Sequence, residues 1–487
     1  MSILAIDAGT TGVTVLVVSA QGEITSRGYS EFEQHFPRPG WVEHDPEQIW
    51  QATLRATRQA LSNSQDIQAI GITNQRETLV LWGRDSLVAP RKAIVWQDRR
   101  TSDIVNELKP HEDAIRTKTG TNLDPYFTST KLVWVQRNEP EIWETVIAGK
   151  TAIGTVDSYL VARLTGGISH ITDASNASRT QLCSIDSATW DDELLALFSV
   201  PKDALPEIVP NYGNLAETDP NAFLGLSVPI TGIAGDQQAA LFGQVCFSQG
   251  DSKCTYGTGA FLLTNTGSQR ADSKHGLIAT IAWQEPDGKI TYALEGSVFV
   301  AGSAVQWLRD GLKIIRESKD VETLANQVLS SEGVFFVPAL TGLGAPWWKP
   351  EVRGTIFGIT RGTSDAHIAR ATLEAVAFQV ADLVEAMEQD LGKPINTLKA
   401  DGGMSENVLL MKLQSAILGQ RVERGQVSET TGLGAAFLAG LGAGIFNSLE
   451  ELRAMWKLRD SFESPSISTP EIDTWHRAVE AATNWHQ

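Results

Sequence analysis

The chain has 487 residues, well beyond the ~100–200 residues of a typical domain, so we expect at least two domains. Apolar residues make up 42% of the chain and charged residues 20%, a composition that excludes a disordered or fibrous protein. The formal net charge of −18 argues against a broad contact with nucleic acid or an anionic membrane. A bound phosphate would therefore depend on local backbone amides.

The beginning of the chain and its cysteines indicate a cytoplasmic location. Residues 1–18 are apolar but contain Asp7 and have no Lys or Arg before Arg27, so they lack the basic leader of a secretory signal. No run of about 18 uncharged apolar residues occurs, so we expect no membrane span. Three cysteines without metal-ligand spacing favour a reducing compartment and no zinc site.

The first part of the chain predicts an α/β layer fold. Two apolar strands, residues 3–6 and 13–18, flank a turn rich in Gly and Thr and so predict a β-hairpin. A helical pattern over residues 46–62 and a short buried strand at residues 69–73 follow. Strand, helix and strand in this order are typical of α/β folds.

The same order of elements returns near the middle of the chain. Residues 228–236 predict a buried strand, residues 237–243 a helix, and residues 251–263 a second hairpin with a Gly/Thr turn. We therefore predict two related domains, residues 1–245 and 246–487, joined by a hinge near residues 244–250. The last third is predicted to be helix-rich and to end in an amphipathic helix from Pro470.

The turn of the first hairpin, Asp7 to Gly12, fits a phosphate site. Its glycines and small hydroxyls allow successive amides to point at one anion, and Asp7 could hold Mg²⁺ through water. A plain hairpin turn with an Asx cap is the alternative. The second turn, Tyr256 to Gly259, carries the same alternatives, and the matching positions of both favour phosphate. Neither is a Walker loop or a dinucleotide fingerprint, because no Gly-Lys-Ser/Thr and no strand-to-helix crossover follows.

Polar side chains follow two predicted strands. Residues 74–78 come directly after the strand at 69–73, at the position where open α/β sheets bind ligands. Arg76 and Glu77 could bind vicinal hydroxyls, or they could form a surface ion pair of little energetic value. Asp236 and Gln237 occupy the matching position in the second half.

A third glycine turn, at residues 400–407, has a double glycine that would admit an adenine or a ribose against the backbone, with Asn407 in hydrogen-bonding reach. A tight strand-to-helix turn is the alternative interpretation.

Nearly end to end, the chain resembles the FGGY carbohydrate kinases of the actin-like, ribonuclease-H-like ATPase superfamily. The resemblance rests on PGWVEHDP at 39–46, GITNQRET at 71–78, WQDRR at 96–100, DPYF at 124–127, TK at 130–131, DASNASRT at 173–180, GDQQAALFGQ at 235–244, TYGTG at 255–259, GLGAPWW at 342–348 and TRG at 360–362. Residues 74–78 together with 235–241 are specific to the branch that phosphorylates glycerol.

This resemblance implies two ribonuclease-H-like domains with a cleft between them, and ATP-dependent phosphorylation of glycerol to sn-glycerol 3-phosphate with Mg²⁺. Asp236 would be the general base for in-line attack, although it could also be a helix N-cap. A homodimer or homotetramer is expected. The implied substrate residues are Arg76, Glu77, Trp96, Tyr126, Asp236, Gln237 and Phe261; the implied nucleotide residues are Thr10, Thr11, Gly12, Thr258, Gly302, Gln306, Gly403 and Asn407; and the implied metal residues are Asp7 and Asp236.

Two alternative functions stay open. A kinase for another small polyol or ketose, such as erythritol or xylulose, would have the same fold, but Trp96 and Phe261 as walls favour a smaller acceptor. An actin-like or chaperone-like ATPase would leave Arg76, Glu77 and Gln237 without a role.

Two segments depart from the glycerol-phosphorylating branch. Most of its members have a basic ending after the first Gly-Thr-Thr, whereas Gly12-Val13-Thr14 stands here, so a cation near the β- and γ-phosphates is absent; this bears on ATP affinity and turnover. Relatives inhibited by fructose 1,6-bisphosphate have a basic glycine-rich loop where this chain has the acidic, apolar residues 217–226. We therefore predict that this inhibition is lost.

Overall fold

A computed structural model describes residues 1–61, 66–466 and 469–485. The strands are β1 Ser2–Ala8, β2 Gly12–Ser19, β3 Ile24–Glu31, β4 Gln34–His35, β5 Glu43–His44, β6 Ile67–Asn74, β7 Val80–Gly83, β8 Ala93–Ile94, β9 Thr151–Gly154, β10 Ile171–Asp173, β11 Cys183–Ser184, β12 Thr189–Trp190, β13 Glu207–Val209, β14 Tyr212–Glu217, β15 Pro229–Gly235, β16 Ser252–Tyr256, β17 Ala260–Gly267, β18 Ile278–Gln284, β19 Ile290–Val298, β20 Phe335–Val337, β21 Thr355–Phe357, β22 Thr397–Asp401, β23 Arg421–Gly425 and β24 Leu458–Phe462.

The helices are α1 Pro46–Ala60, α2 Ser102–Leu108, α3 Glu112–Thr119, α4 Thr128–Asn138, α5 Pro140–Ile147, α6 Val156–Leu164, α7 Ala174–Ala177, α8 Asp192–Leu197, α9 Asp236–Gly243, α10 Gly302–Asp310, α11 Asp320–Ala325, α12 Asp365–Leu391, α13 Val408–Leu418, α14 Thr430–Gly442, α15 Leu449–Met455 and α16 Thr469–Trp485. Short 3-10 turns lie at Lys109–His111, Lys202–Ala204 and Gly403–Glu406. None of the helices in the described residues is both long and apolar enough to cross a membrane.

Two mixed sheets form the centres of the two halves. The first has the order β14-β15-β6-β1-β2-β3, in which β1, β6 and β15 are parallel and the other pairs antiparallel. The second has the order β18-β19-β17-β16-β22-β23-β24, with β16, β22 and β23 parallel. Each sheet therefore has three parallel strands with one antiparallel edge strand on one side, and on the other side antiparallel strands, two in the first sheet and three in the second.

Local sequence explains where the early elements begin. The strands of the first hairpin are almost wholly buried, because both faces of β1 and β2 are covered and their residues are nearly all apolar. Helix α1 begins after Asp45, whose carboxylate accepts from the amide of Glu47, and Pro46 occupies its first turn. The predicted helix over 46–62 is confirmed to Ala60, and Ser62 lies outside the described residues.

Helix α14 is shared between the two halves. It follows β23 of the second sheet in the chain, yet it packs on β1, β6 and β15 of the first sheet and on α9. Glycines make this contact close: a Cβ on Gly71 would lie 2.2 Å from the carbonyl oxygen of Ala435. One apolar cluster contains Ile3 of the first sheet, Ala436 of α14 and Leu263 of the second sheet, so the halves share a core.

Candidate active site

Three parallel strands of the first sheet bring the predicted acidic and basic residues together. Asp7 lies near the end of β1, Arg76 and Glu77 follow β6, and Asp236 follows β15. The register pairs Ala8 with Asn74 and Asn74 with Gly235, so all three strands end at the same level. The turn after β6 is strained, since Glu77 has φ of +58°. The carboxyl edge of this sheet therefore forms one wall of the site.

The backbone carbonyls of the first Gly/Thr turn are bound by a network of side-chain hydrogen bonds. Gln34 donates to the carbonyl of Thr10 at 2.7 Å, and Gln75 donates to the carbonyl of Gly9 at 3.0 Å. Buried His44 joins these two amides through its ring nitrogens, at 2.7 Å from Gln34 Oε1 and 3.2 Å from Gln75 Nε2. Because the carbonyls of the turn are bound from this side, the turn is fixed in place.

A cavity of about 340 Å³ lies at this edge and contains every predicted substrate residue. It is lined by Thr10, Thr11, Gln34, Phe36, Arg76, Glu77, Trp96, Gln97, Tyr126, Asp236, Gln237, Thr258, Gly259, Phe261 and Gln306. The Trp96 ring meets Tyr126 and Phe261 edge to face, at 5.7 Å and 6.0 Å between centroids. Its indole also donates to Thr10 Oγ1 at 3.0 Å. We call this space the acceptor cavity.

A buried charge network lies behind the acceptor cavity. Glu295, on β19 of the second sheet, accepts from Arg76 at 2.6 Å and 2.8 Å and from Arg179 at 3.1 Å. Arg179 also donates to Glu77 at 2.7 Å, and Arg76 Nε lies 3.1 Å from Asp236 Oδ1. A surface location of the Arg76–Glu77 pair is therefore wrong: Arg76 Nε lies 3.8 Å from Glu77 Oε1, but both side chains are buried within this network.

The network sets the ionisation of its members. Burial opposes the charge on Glu295, but Arg179 and Arg76 outweigh it and lower the pKa of Glu295 to about 2. Burial raises the pKa of Asp236 and of Glu77 despite the neighbouring arginines. Asp236 is thus a carboxylate with increased proton affinity that faces the acceptor cavity.

A second cavity, of about 430 Å³, adjoins the first. It is lined by Tyr256, Gly257, Thr258, Gly302, Val305, Gln306, Ser318, Lys319, Val321, Glu322, Gly403, Met404, Glu406 and Asn407. Thr258 and Gln306 line both cavities. We call this space the nucleotide cavity, since it combines the second Gly/Thr turn with the double-glycine turn.

Two predicted nucleotide residues have structural positions of their own. Asn407 Oδ1 accepts from the amide of Leu410 at 2.8 Å and caps α13, so its amide group is the part left for a ligand. Gly12 lies at the start of β2 beside Tyr29 and lines neither cavity.

Asp236 is the first residue of α9, and the cap position belongs to Gly235, so the N-cap interpretation of Asp236 is wrong.

Asp7 and Asp236 are the two residues predicted to hold a hard divalent cation, and their carboxylates are close enough to interact electrostatically. Burial, and then the neighbouring carboxylates of Asp236 and Glu429, raise the pKa of Asp7 to about 8. The two predicted metal residues thus repel each other's negative charge, which a cation would relieve. Within the described residues no cluster of three or more His, Cys, Asp or Glu side chains could hold a metal ion. Two carboxylates with phosphate oxygens and water suit Mg²⁺, which seldom has an all-protein cage.

The sequence interpretation missed three charged residues next to the site. Arg179 lies in the DASNASRT motif at 173–180, whereas Glu295 and Lys253 lie outside the motifs that predict the site. The available signal was a charged residue within a buried apolar strand, since both are fully buried in β19 and β16.

Comparison with known proteins decides the family. Residues 2–243 match the N-terminal domain of the FGGY family of carbohydrate kinases, and residues 252–443 match its C-terminal domain. The chain belongs to the FGGY family of carbohydrate kinases.

Individual relatives are similar over almost the whole chain. A glycerol kinase of Bdellovibrio bacteriovorus is 50% identical, covering 98% of each chain, and one of Listeria monocytogenes is 50% identical, covering 99% of this chain and 98% of the relative. A crystal structure of Plasmodium falciparum glycerol kinase with ADP superimposes with a TM-score of 0.90 at 36% identity, covering 99% of this chain and 98% of that one.

Proposed function

We propose that this chain transfers the γ-phosphoryl group of ATP to glycerol and forms sn-glycerol 3-phosphate. The observation that carries the proposal is the contact between the acceptor and nucleotide cavities at Thr258 and Gln306, beside Asp236. The full-length relatives named glycerol kinase support the same acceptor.

The acceptor cavity suits a small triol. Arg76, Gln237 and the carboxylates of Glu77 and Asp236 offer donors and acceptors for hydroxyl groups, while Trp96 and Phe261 give a narrow apolar wall. An alcohol lacking one hydroxyl would leave a buried polar group unpaired, which accounts for selectivity.

Asp236 acts as the general base in this proposal. Its carboxylate accepts the proton of a terminal hydroxyl as that oxygen attacks the γ-phosphorus in line. Arg76 holds the carboxylate from one side, and the amides of the two Gly/Thr turns stabilise charge on the transferred group. Asp7 and Asp236 would hold Mg²⁺, which neutralises phosphate charge when bound.

The decisive assay compares acceptors. ADP release is measured with glycerol, dihydroxyacetone, erythritol and xylulose, and with no acceptor. We expect glycerol to give the highest kcat/KM. A higher value for xylulose or erythritol would favour the other kinases of the same fold, and ADP release that does not change with glycerol would favour an actin-like or chaperone-like ATPase.

Asp236→Asn tests the base. The substitution keeps the shape of the side chain but removes its proton affinity, so turnover should fall by about 100-fold or more while ADP still binds by calorimetry. Asp382→Asn is the control, because Asp382 is a buried carboxylate on α12 that lines neither the acceptor cavity nor the nucleotide cavity. Near-normal turnover of Asp236→Asn would exclude Asp236 as the base.

Assembly and location are part of the proposal. ATP as donor and the free, buried thiols of Cys183, Cys246 and Cys254 support a cytoplasmic location. A homodimer or homotetramer remains our expectation, and native mass spectrometry distinguishes the two from a monomer.

A further inference from the structure

Lys253 connects the second sheet to the acceptor cavity. It lies on β16, is fully buried, and donates to Gln237 Oε1 at 2.6 Å and to Thr255 Oγ1 at 2.8 Å. Gln237 follows β15 of the first sheet in the fold. The bond between Lys253 and Gln237 therefore crosses from one half of the molecule to the other and ends on a residue that lines the acceptor cavity.

The chemistry of the two groups fixes the direction of the carboxamide. An ammonium group only donates hydrogen bonds, so it must face the oxygen of Gln237 and not the nitrogen. The Gln237 Nε2 group is then directed away from Lys253, and within the described residues it donates no hydrogen bond to the protein, while Gln237 lines the acceptor cavity. Without Lys253 the carboxamide could turn over, since its two ends have nearly the same shape.

The burial of the Lys253 ammonium group destabilises the fold. Within the part of the chain that the structure describes, its ammonium bonds two neutral oxygens and forms no ion pair. Burial lowers the pKa of Lys253, while Asp401, Asp236 and Glu295 oppose this shift from a distance. A buried charge bound only to neutral groups destabilises a protein, so stability does not explain its presence.

We propose that Lys253 is a positioning residue that holds the Gln237 carboxamide with its N–H group towards the acceptor, so that Gln237 donates a hydrogen bond to an acceptor oxygen. This inference rests on the proposed function, because it assigns the direction of one contact in the same site.

The experiment is a double-mutant cycle on the full chain with Lys253→Met, Gln237→Met and both together. Lys253→Met should raise the KM for glycerol about 10-fold, the loss of one well-placed hydrogen bond, and leave the KM for ATP within about two-fold. The KM for glycerol of the double variant should be no higher than that of Gln237→Met, since Lys253 acts through Gln237. Additive losses, or equal changes in both KM values, would overturn the inference.

Lys399→Met is the matched control. Lys399 pairs in register with Lys253 on the neighbouring strand β22, but its ammonium donates to the backbone of Gln244. Lys399→Met, which removes a lysine from the same sheet, should therefore lower the melting temperature without changing the KM for glycerol. An equal rise in that KM for Lys399→Met would contradict a specific role of Lys253.

A second variant covers the case in which Lys253→Met does not fold. Gln237→Glu keeps an oxygen for Lys253 but removes the N–H donor, so its KM for glycerol should also rise about 10-fold. An unchanged KM would show that the N–H group is not used. Wild-type protein that does not phosphorylate glycerol would instead overturn the proposed function itself, so the two failures are distinguishable.

Discussion

Arg76 shows how one residue serves both stability and binding. Its guanidinium binds Glu295 through two nitrogens and approaches Asp236 with the third. The planar fork of arginine suits this arrangement, and lysine could not reproduce it. A residue predicted to contact only the acceptor is thus also the centre of a buried charge network.

We predict that Arg76→Ala weakens glycerol binding by about 1–3 kcal/mol, because a charged hydrogen bond is lost. It should also lower the free energy of unfolding by about 3–5 kcal/mol, because Glu295 and Asp236 lose a buried partner. Coupled-assay KM values and urea unfolding measure the two effects. An unchanged KM for glycerol would contradict the assignment, whatever the change in stability.

The buried His44 leads to a prediction about how the free energy of unfolding depends on pH. Burial, and then the charge of His35, lower the pKa of His44 from 6.5 to about 3. Between these two pKa values the unfolded chain binds a proton that the folded chain does not. The free energy of unfolding is therefore highest at neutral pH with respect to His44. It falls as the pH drops below about 6.5, by up to about 1.4 kcal/mol per pH unit. The folded imidazole must stay neutral to accept from Gln75.

Urea unfolding at several pH values between 7 and 4 tests this. His44→Gln should reduce the pH dependence of the free energy of unfolding by up to one proton. His170, whose pKa is lowered to about 4 mainly by burial, keeps its contribution in both proteins and serves as an internal reference. Identical slopes for the wild type and His44→Gln would exclude the neutral, buried state.

At the scale of elements, the loop between β14 and β15 has a structural role. Phe223 is fully buried and packs against Trp50 of α1 at 6.3 Å between centroids, so the loop is anchored to the first core. Glu217, the last residue of β14, and Asp219 in the loop give this region negative charge.

We predict that millimolar fructose 1,6-bisphosphate does not inhibit turnover. Two carboxylates repel a bisphosphate, and the loop has no basic side chain to bind its phosphate groups. Steady-state assays with and without the sugar bisphosphate, at fixed ionic strength, provide the measurement. Saturable inhibition would show that another surface binds it.

At the scale of the whole molecule, α14 joins the two halves. The proposed division into residues 1–245 and 246–487 stays a prediction, and the boundary near 244–250 lies between α9 and β16. Helix α14 lies after this boundary but packs on the first sheet. Movement of the halves about the cleft, which is expected for a kinase that must exclude water, would therefore take place around this helix.

Gly434→Ala tests how tightly α14 is held. Alanine favours an isolated helix by about 1 kcal/mol, but a Cβ here would lie 1.8 Å from the carbonyl oxygen of Ala239 in α9. We therefore expect a loss of about 1–3 kcal/mol in unfolding free energy. Gly362→Ala is the control, because its nearest neighbouring atom is 3.8 Å away. A stabilised Gly434→Ala variant would mean that α9 and α14 separate easily.

The sequence by itself determined the two hairpins, the strand ends that carry Arg76, Glu77 and Asp236, and the family. These features are local, because a strand, a turn and the polar residues after it lie within a few positions of each other. The residue-by-residue roles of the site remain predictions, although the structure brings all the predicted substrate residues to one cavity.

Only the tertiary structure decided which groups hold these residues in place. Glu295 meets Arg76 across 219 residues of chain, and Lys253 meets Gln237 from the other sheet. Local patterns cannot predict such contacts, because they depend on how the two sheets and α14 pack together. The partners that hold these buried charged groups are therefore brought near by folding and not by sequence proximity.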